Sequence, residues 1–407
     1  MRNTSLGYHT FSIFRKLSYE EYRALCQDFA QYVKSGNGFK GYPDDNVPGT
    51  VWEYTHNKNK GIRWRLSSKK ELNGYISRKI VAIINPKTLL YNNYITASTE
   101  SDLRLTEQKF DEEADNISPY LLTFKDYSLN RADYSLNIDL KELGYPCTPK
   151  QMMKLIKQGD IPENFKEHME YSKTGHRPVP YKYSLYLENS SVTINFYWKY
   201  PQQTETHPNF DNRDKSENVI RLEVQCKSKK LHDMIRSGNC DIPMSVRQNI
   251  IESESIPVRP MLSDRISEQV VREYFYKIIR KGHYFTYSGA LAIIRSYGFK
   301  RKKEERLLYA IELVKECDGI SKAKASLICN KSEDEAYMAL REFNKALREL
   351  DELLINPVTI PRRWAADWGV KWLPNLMWTY DCSIGRNIIL FQRESRAMQH
   401  INKYLSL

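Results

Sequence analysis

Val192, Ile194, Phe196 and Trp198 alternate with Thr193, Asn195, Tyr197 and Lys199, which predicts a half-buried strand with its polar side chains on one face. The same period predicts strands over 9–17, 50–55, 61–68, 79–90, 129–140, 182–200 and 217–230. Helical spacing interrupts them over 18–36, where Ser18 and Glu21 are set for a capping box, and over 106–122. A third helix is expected over 148–159, with Thr148 as N-cap, Pro149 in its first turn, Gln151 closing the box and Gly159 as stop. Beyond residue 240 the period becomes helical throughout, over 267–282, 288–298, 303–319, 320–330 and 333–354. This order predicts an α+β fold: an antiparallel-rich sheet of duplicated strand-helix-strand units, helices on one face and the other face free, then an all-helical C-terminal domain. Boundaries follow at 1–239 for the α+β domain, 240–264 for a linker with three prolines, and 265–407 for the helical domain. Within the latter, 313–328 has the outline of a helix-turn-helix through Gly319, and 356–375 reads as a wing or lid.

Composition narrows the partners. The 407 residues contain no apolar run near the roughly 18 residues that span a bilayer and no signal-peptide core, which predicts a cytoplasmic protein with no membrane partner. Seven scattered cysteines form no C-x-x-C pair, so neither a zinc ribbon nor a disulfide framework is expected. A net charge of +12 points to a polyanion. Between Arg221 and Arg306, 18 Lys and Arg stand against 10 Asp and Glu, so +8 of that excess sits there, densest at Lys300, Arg301, Lys302 and Lys303. With 28 tyrosines interleaved among basic residues, nucleic acid is the expected partner.

Three strands carry polar residues at every second position. Arg131, Asp133, Ser135, Asn137 and Asp139 share a face in one, Arg221, Glu223, Gln225 and Lys227 in another, and Thr193, Asn195, Tyr197 and Lys199 in the third. If these strands are neighbours, the polar faces converge on a surface suited to phosphodiester transfer. Asp133 and Glu223 are hard oxygen ligands of the kind Mg²⁺ or Mn²⁺ takes. Tyr197, with an ordinary pKa of about 10, would need Lys199 and the metal to favour its phenolate. Arg131 and Arg221 would hold flanking phosphates, with Lys227 on the same face. The alternation also suits a sheet with one wet face whose charges form cross-strand pairs, and Asp139 suits a turn at a strand end.

In order and spacing, NRADYSLNIDL, VTINFYWK and VIRLEVQCK resemble the motifs of the replication initiation factor family. That family includes rolling-circle initiators of Gram-positive plasmids and integrative elements and is related to filamentous-phage initiators. The resemblance covers roughly 120–235. It implies a metal-dependent enzyme that nicks one strand at a replication origin and stays joined to the 5′ end through a tyrosine. Carried over by position, Tyr197 is the nucleophile, Lys199 its neighbour in the motif, and Asp133 and Glu223 the ligands of Mg²⁺ or Mn²⁺. Single- and double-stranded origin DNA is the implied partner, with host helicase and polymerase beside it and a homodimer left open. The chain departs from the pattern at Trp198, where a polar residue is expected, and offers Tyr200 as a rival nucleophile. No His-x-His occurs; His207 is either an extra ligand or a loop residue. No GxxxxGK[ST] occurs, which argues against built-in helicase activity. Three alternatives stay open: a non-catalytic DNA-binding regulator of a mobile element, an RNA-binding sheet, and a metal-free tyrosine recombinase.

Overall fold

The computed structural model describes residues 3–34, 40–43, 52–55, 61–70, 76–171, 178–206, 213–238, 255–385 and 395–405, with a few single positions besides. In chain order the strands of the main sheet are β1 (Ser5–Lys16), β2 (Lys40–Pro43), β3 (Trp52–Thr55), β4 (Ile62–Lys70), β5 (Ile76–Ile84), β6 (Ser128–Asp139) and β7 (Lys166–Glu167). After the separate ribbon of β8 (Met169–Tyr171) and β9 (Pro178–Pro180) come β10 (Ser184–Glu188), β11 (Val192–Trp198) and β12 (Val219–Lys227). The ten-stranded sheet runs β2-β3-β4-β5-β1-β6-β12-β11-β10-β7, every neighbouring pair antiparallel. The fold is thus mixed α/β, with helices dominating the C-terminal half.

Capping chemistry starts the helices where their sequences allow. Before α1 (Tyr19–Lys34), the Ser18 amide donates to Glu21 Oε2 at 2.7 Å and the Glu21 amide to Ser18 Oγ at 3.1 Å. Thr148 and Gln151 do the same for α4 (Pro149–Ile156). The strand expected over 79–90 stops at Ile84, because Asn85 caps α2 (Pro86–Tyr91) with Pro86 in its first turn. The helix expected from residue 106 is α3 (Glu100–Asp115), which begins earlier because Thr99 and Asp102 form a capping box.

One face of the sheet is apolar and deeply covered. Ala132, Tyr134, Leu136 and Ile138 of β6, Ile220, Leu222, Val224 and Cys226 of β12, and Val192, Ile194 and Phe196 of β11 are all buried there. Much of the cover is the helix Asp264–Ile278, which packs on β1, β6 and β12. Its Phe275 ring lies 6.2 Å from that of Phe196, and the Tyr134 hydroxyl donates to the carbonyl of Met261 at 2.8 Å. A helix expected in the second domain therefore completes the core of the first. Most of 239–254, the larger part of the expected linker, lies outside the described residues.

The C-terminal half is not all helical. β13 (Tyr284–Phe285) pairs with β14 (Trp372–Leu373), and Val358, Ile360 and Trp364 of the expected wing are buried in the core. At the expected helix-turn-helix, Asp318 and Gly319 turn the chain between helices Arg301–Glu316 and Ile320–Ile328. Gly319 has φ +137°, and a Cβ there would stand 3.2 Å from the Gln158 carbonyl oxygen, so glycine is needed for both conformation and approach. The turn docks on the end of α4: the Ile320 amide donates to Gln158 O at 2.9 Å, and Lys324 pairs with Asp160 at 2.6 Å. Among the described residues no helix is long and apolar enough to cross a membrane.

Candidate active site

Antiparallel register aligns the polar faces of β6, β12 and β11 into rows. Asn137, Arg221 and Tyr197 stand opposite one another; the next row holds Ser135, Glu223 and Asn195; the third holds Asp133, Gln225 and Thr193; Arg131 faces Lys227 in the fourth. Because opposed residues in an antiparallel pair share a face, the three expected polar sets converge.

Tyr197 and Glu223 are joined directly. The Tyr197 hydroxyl donates to Glu223 Oε2 at 3.0 Å, and only 6% of the residue is exposed. Burial, reinforced by the Glu223 charge, pushes the phenol well above its usual range, so it holds its proton until something accepts it. Lys199 reaches the same place by a different route from the one its alternation implies. The strand ends at Trp198, and Lys199 opens α5 (Lys199–Thr206), where Pro201 suits a first helical turn and would interrupt a sheet ladder. Its ammonium lies 5.6 Å from the centre of the Tyr197 ring and donates to Gln202 Oε1 at 3.0 Å. Burial, then the Arg221 charge, pull its pKa well below the ordinary lysine range. Tyr200 leaves the strand altogether; its ring lies 6.2 Å from that of Trp198.

Arg221 differs from expectation. It is wholly buried, which is incompatible with gripping a flanking phosphate in this conformation. Its Nε donates to Asn137 Oδ1 at 2.5 Å and its Nη2 to the carbonyls of Ile95 and Tyr94. The segment 93–98 thus crosses this end of the polar face, and the face expected to be free is partly covered. A buried guanidinium needs acceptors, and those carbonyls supply them.

Asp133 is also buried, with Oδ2 accepting from Arg131 Nη2 at 3.0 Å. Burial pushes its pKa up to about 7, Arg131 opposing the rise and Glu223 adding to it. Lys227 pairs with Glu188 at 2.5 Å. Asp139 is a turn residue, its Oδ1 accepting from the amides of Lys141 and Glu142. Lys300, Arg301 and Lys302 are exposed around the start of the helix Arg301–Glu316, Arg301 paired with Glu305 at 2.7 Å, while Lys303 lies 4.3 Å above the Phe299 ring. His207 lies outside the described residues.

His9 was not expected at this site. The register between β1 and β6 shifts between Tyr8 and Thr10, a bulge that adds His9 to the polar side and sets its Nε2 4.0 Å from Glu223 Oε1. Burial, then the charges of Arg221, Lys199 and Arg131, hold the ring well below its usual pKa, hence neutral. Two polar residues in succession, His9 and Thr10, between the apolar Tyr8 and Phe11 are the available signal.

Buried polar atoms without partners gather here: Arg131 Nε, Asp133 Oδ1, Ser135 Oγ, Asn195 Oδ1, Arg221 Nη1 and His9 Nδ1. Such atoms are costly unless something satisfies them. Among the described residues no three His, Cys, Asp or Glu side chains converge as a metal cage, since Glu223 is turned to Tyr197 and Asp133 to Arg131. The orphaned oxygens of Asp133, Ser135 and Asn195 flanking Glu223 are nonetheless a donor set of the hard type that fits Mg²⁺ or Mn²⁺.

No protein-family model matches the chain, and no curated protein is detectably similar to it.

Proposed function

We propose that the protein initiates rolling-circle replication by nicking one DNA strand with Tyr197. The observation that carries this reading is the Tyr197–Glu223 hydrogen bond on a face shared with Lys199, Asp133 and Arg131. In the nicking step the Tyr197 oxygen forms a bond to phosphorus as its proton passes to Glu223 Oε2. The bond from phosphorus to the 3′ oxygen breaks, and that oxygen leaves as a 3′ hydroxyl by taking a proton from solvent water. The product is a 5′-phosphotyrosyl link. Arg131, partly exposed beside the site, would hold a phosphate oxygen, and an arriving phosphate would favour the charged form of Lys199. Asp133 and Glu223, with the orphaned oxygens of Ser135 and Asn195, would hold the divalent ion. When bound, Mg²⁺ or Mn²⁺ neutralises charge on the phosphate. The basic run 300–303 is proposed to hold duplex DNA at the origin, with host helicase and polymerase following. Duplication of a strand-helix-strand unit belongs to the same proposal.

A second reading has its own support. The burial of Tyr197 and Arg221 suits a satisfied structural network, as in a non-catalytic DNA-binding regulator. Glu223→Gln separates the two. The enzyme reading expects DNA binding to survive and nicking of supercoiled DNA carrying the gene's adjacent intergenic region to fall about 100-fold or more. Wild-type protein that binds this DNA yet never nicks it, with Mg²⁺ or Mn²⁺ supplied, would leave the regulator.

A further inference from the structure

The polar face does not stop at the candidate site. Asp133 of β6 stands opposite Thr10 of β1, and Arg131 stands opposite Ser12, which is in register with Ile83 of β5 and through it with Arg63 of β4. The next row holds Phe14, Val81 and Arg65, and the one after it Lys16, Lys79 and Ser67. Arg63, Arg65, Lys16 and Lys79 are exposed, with Phe14 and Ile83 half-buried among them. Glu53 of β3, opposite Arg65, is an acid in register with this group. Two cross-strand pairs carry like charge: Arg131 faces Lys227 across β6 and β12, and Lys16 faces Lys79 across β1 and β5. Like charges directly opposite one another destabilise a sheet, and a wet face selected only for stability would pair opposite signs. Asp133 and Glu188 relieve the first pair. The second pair and the two arginines set one sign of charge across three strands, which is complementary to a polyanion.

We infer that this strip of β1, β5 and β4 holds the phosphates of a single DNA strand that continues from the candidate site. Three strand spacings of about 4.8 Å separate β6 from β4, so the strip spans roughly 14 Å, enough for the phosphates of about two to four nucleotides. Arg63 and Arg65 take phosphate oxygens, Lys16 and Lys79 add positive charge, and Phe14 and Ile83 offer apolar surface to unpaired bases. A duplex keeps its bases stacked inside and leaves Phe14 none to meet. The inference rests on the nicking reading for the identity of the strand, and it places strand binding on residues well before 120, where the motif resemblance begins.

Fluorescence anisotropy of the untagged full-length protein tests it, with a labelled single strand from the gene's adjacent intergenic region and the duplex of the same sequence titrated over a salt series. Changing both Arg63→Gln and Arg65→Gln is expected to weaken single-strand binding about tenfold and to lower the slope of log affinity against log salt by about 1.4, with a smaller change on the duplex. Lys16→Gln with Lys79→Gln gives the same readout should the arginine pair fail to fold. Single-strand affinity and slope unchanged in both paired variants overturn the inference, and so does a loss as large on the duplex as on the single strand. Wild-type protein that nicks DNA while the variants bind the single strand unchanged removes the strip and leaves the nicking reading. Wild-type protein that binds the single strand through these residues and never nicks it, with Mg²⁺ or Mn²⁺ supplied, supports the strip and removes the nicking reading.

Discussion

The two faces of the strands β6, β12 and β11 are built from alternate residues of the same three segments and differ in almost every physical respect. On one, Leu136, Leu222, Val224 and Phe196 are buried beside the helix Asp264–Ile278, and the Tyr134 hydroxyl among them is satisfied by the Met261 carbonyl. On the other, Asp133, Ser135, Asn137, Arg221, Lys199 and Tyr197 are nearly as deeply buried, yet several of their polar atoms have no partner. Burial of apolar area stabilises by about 25 cal/mol per Å², whereas each unsatisfied buried polar atom costs about 1–3 kcal/mol. The first face holds the fold together, and the second is maintained at a cost.

The largest effect should come from the apolar face. Phe196→Ala is expected to lower stability by about 3–5 kcal/mol in chemical denaturation, because it opens a cavity against Phe275. A loss below about 1 kcal/mol would mean that this face is not the packed core described. Next comes acid sensitivity located away from the polar face. His283 is buried in the helical half, its pKa lowered to about 4 by burial. The unfolded chain takes up that proton near pH 6.5 and the folded one only near pH 4, so the contribution is complete above pH 6.5 and is lost as pH falls between them. It amounts to about 3 kcal/mol. His283→Gln should flatten the slope of stability between pH 6.5 and 4, and an unchanged slope would remove His283 as its source.

Asp133→Asn should act in the opposite sense to Phe196→Ala. Removing a buried carboxylate is expected to stabilise the metal-free protein by about 1–2 kcal/mol at neutral pH while abolishing nicking. Destabilisation instead would show that the Arg131–Asp133 pair is structural. The smallest expected change is in DNA affinity. Replacing Lys300, Arg301, Lys302 and Lys303 with glutamine should reduce the slope of log affinity against log salt by up to about 3, measured by fluorescence anisotropy on duplex DNA. An unchanged slope would assign these side chains to solvent alone.

Much of the polar face was legible before the fold was known. Arg131, Asp133, Glu223 and Tyr197 lie in regular stretches of strand, where a period of two fixes the face, and neighbouring antiparallel strands then align the rows. His9 was not legible in that way because a bulge breaks the period at the residue that matters. Alternation puts Lys199 in the right neighbourhood but on a strand, because a helix that starts directly after a strand's last residue can keep a side chain near the same face. The burial of Arg221 depends on segment 93–98 crossing the sheet, a contact between residues more than 100 positions apart that no local pattern encodes. For the same reason local spacing groups the helix Asp264–Ile278 with the helices that follow it rather than with the sheet it covers.

If Tyr197 attacks phosphorus, the protein forms a covalent adduct with DNA, and the residue that carries the nucleotide decides the matter. Labelled single-stranded DNA from the gene's adjacent intergenic region, incubated with protein and Mn²⁺, should migrate with the denatured chain, and mass spectrometry of the digested adduct should place the nucleotide on Tyr197. Tyr197→Phe should fold, bind DNA and form no adduct, while Tyr200→Phe should form it as the wild type does. An adduct on Tyr200, or strand cleavage by the wild type with no adduct at all, would contradict the account.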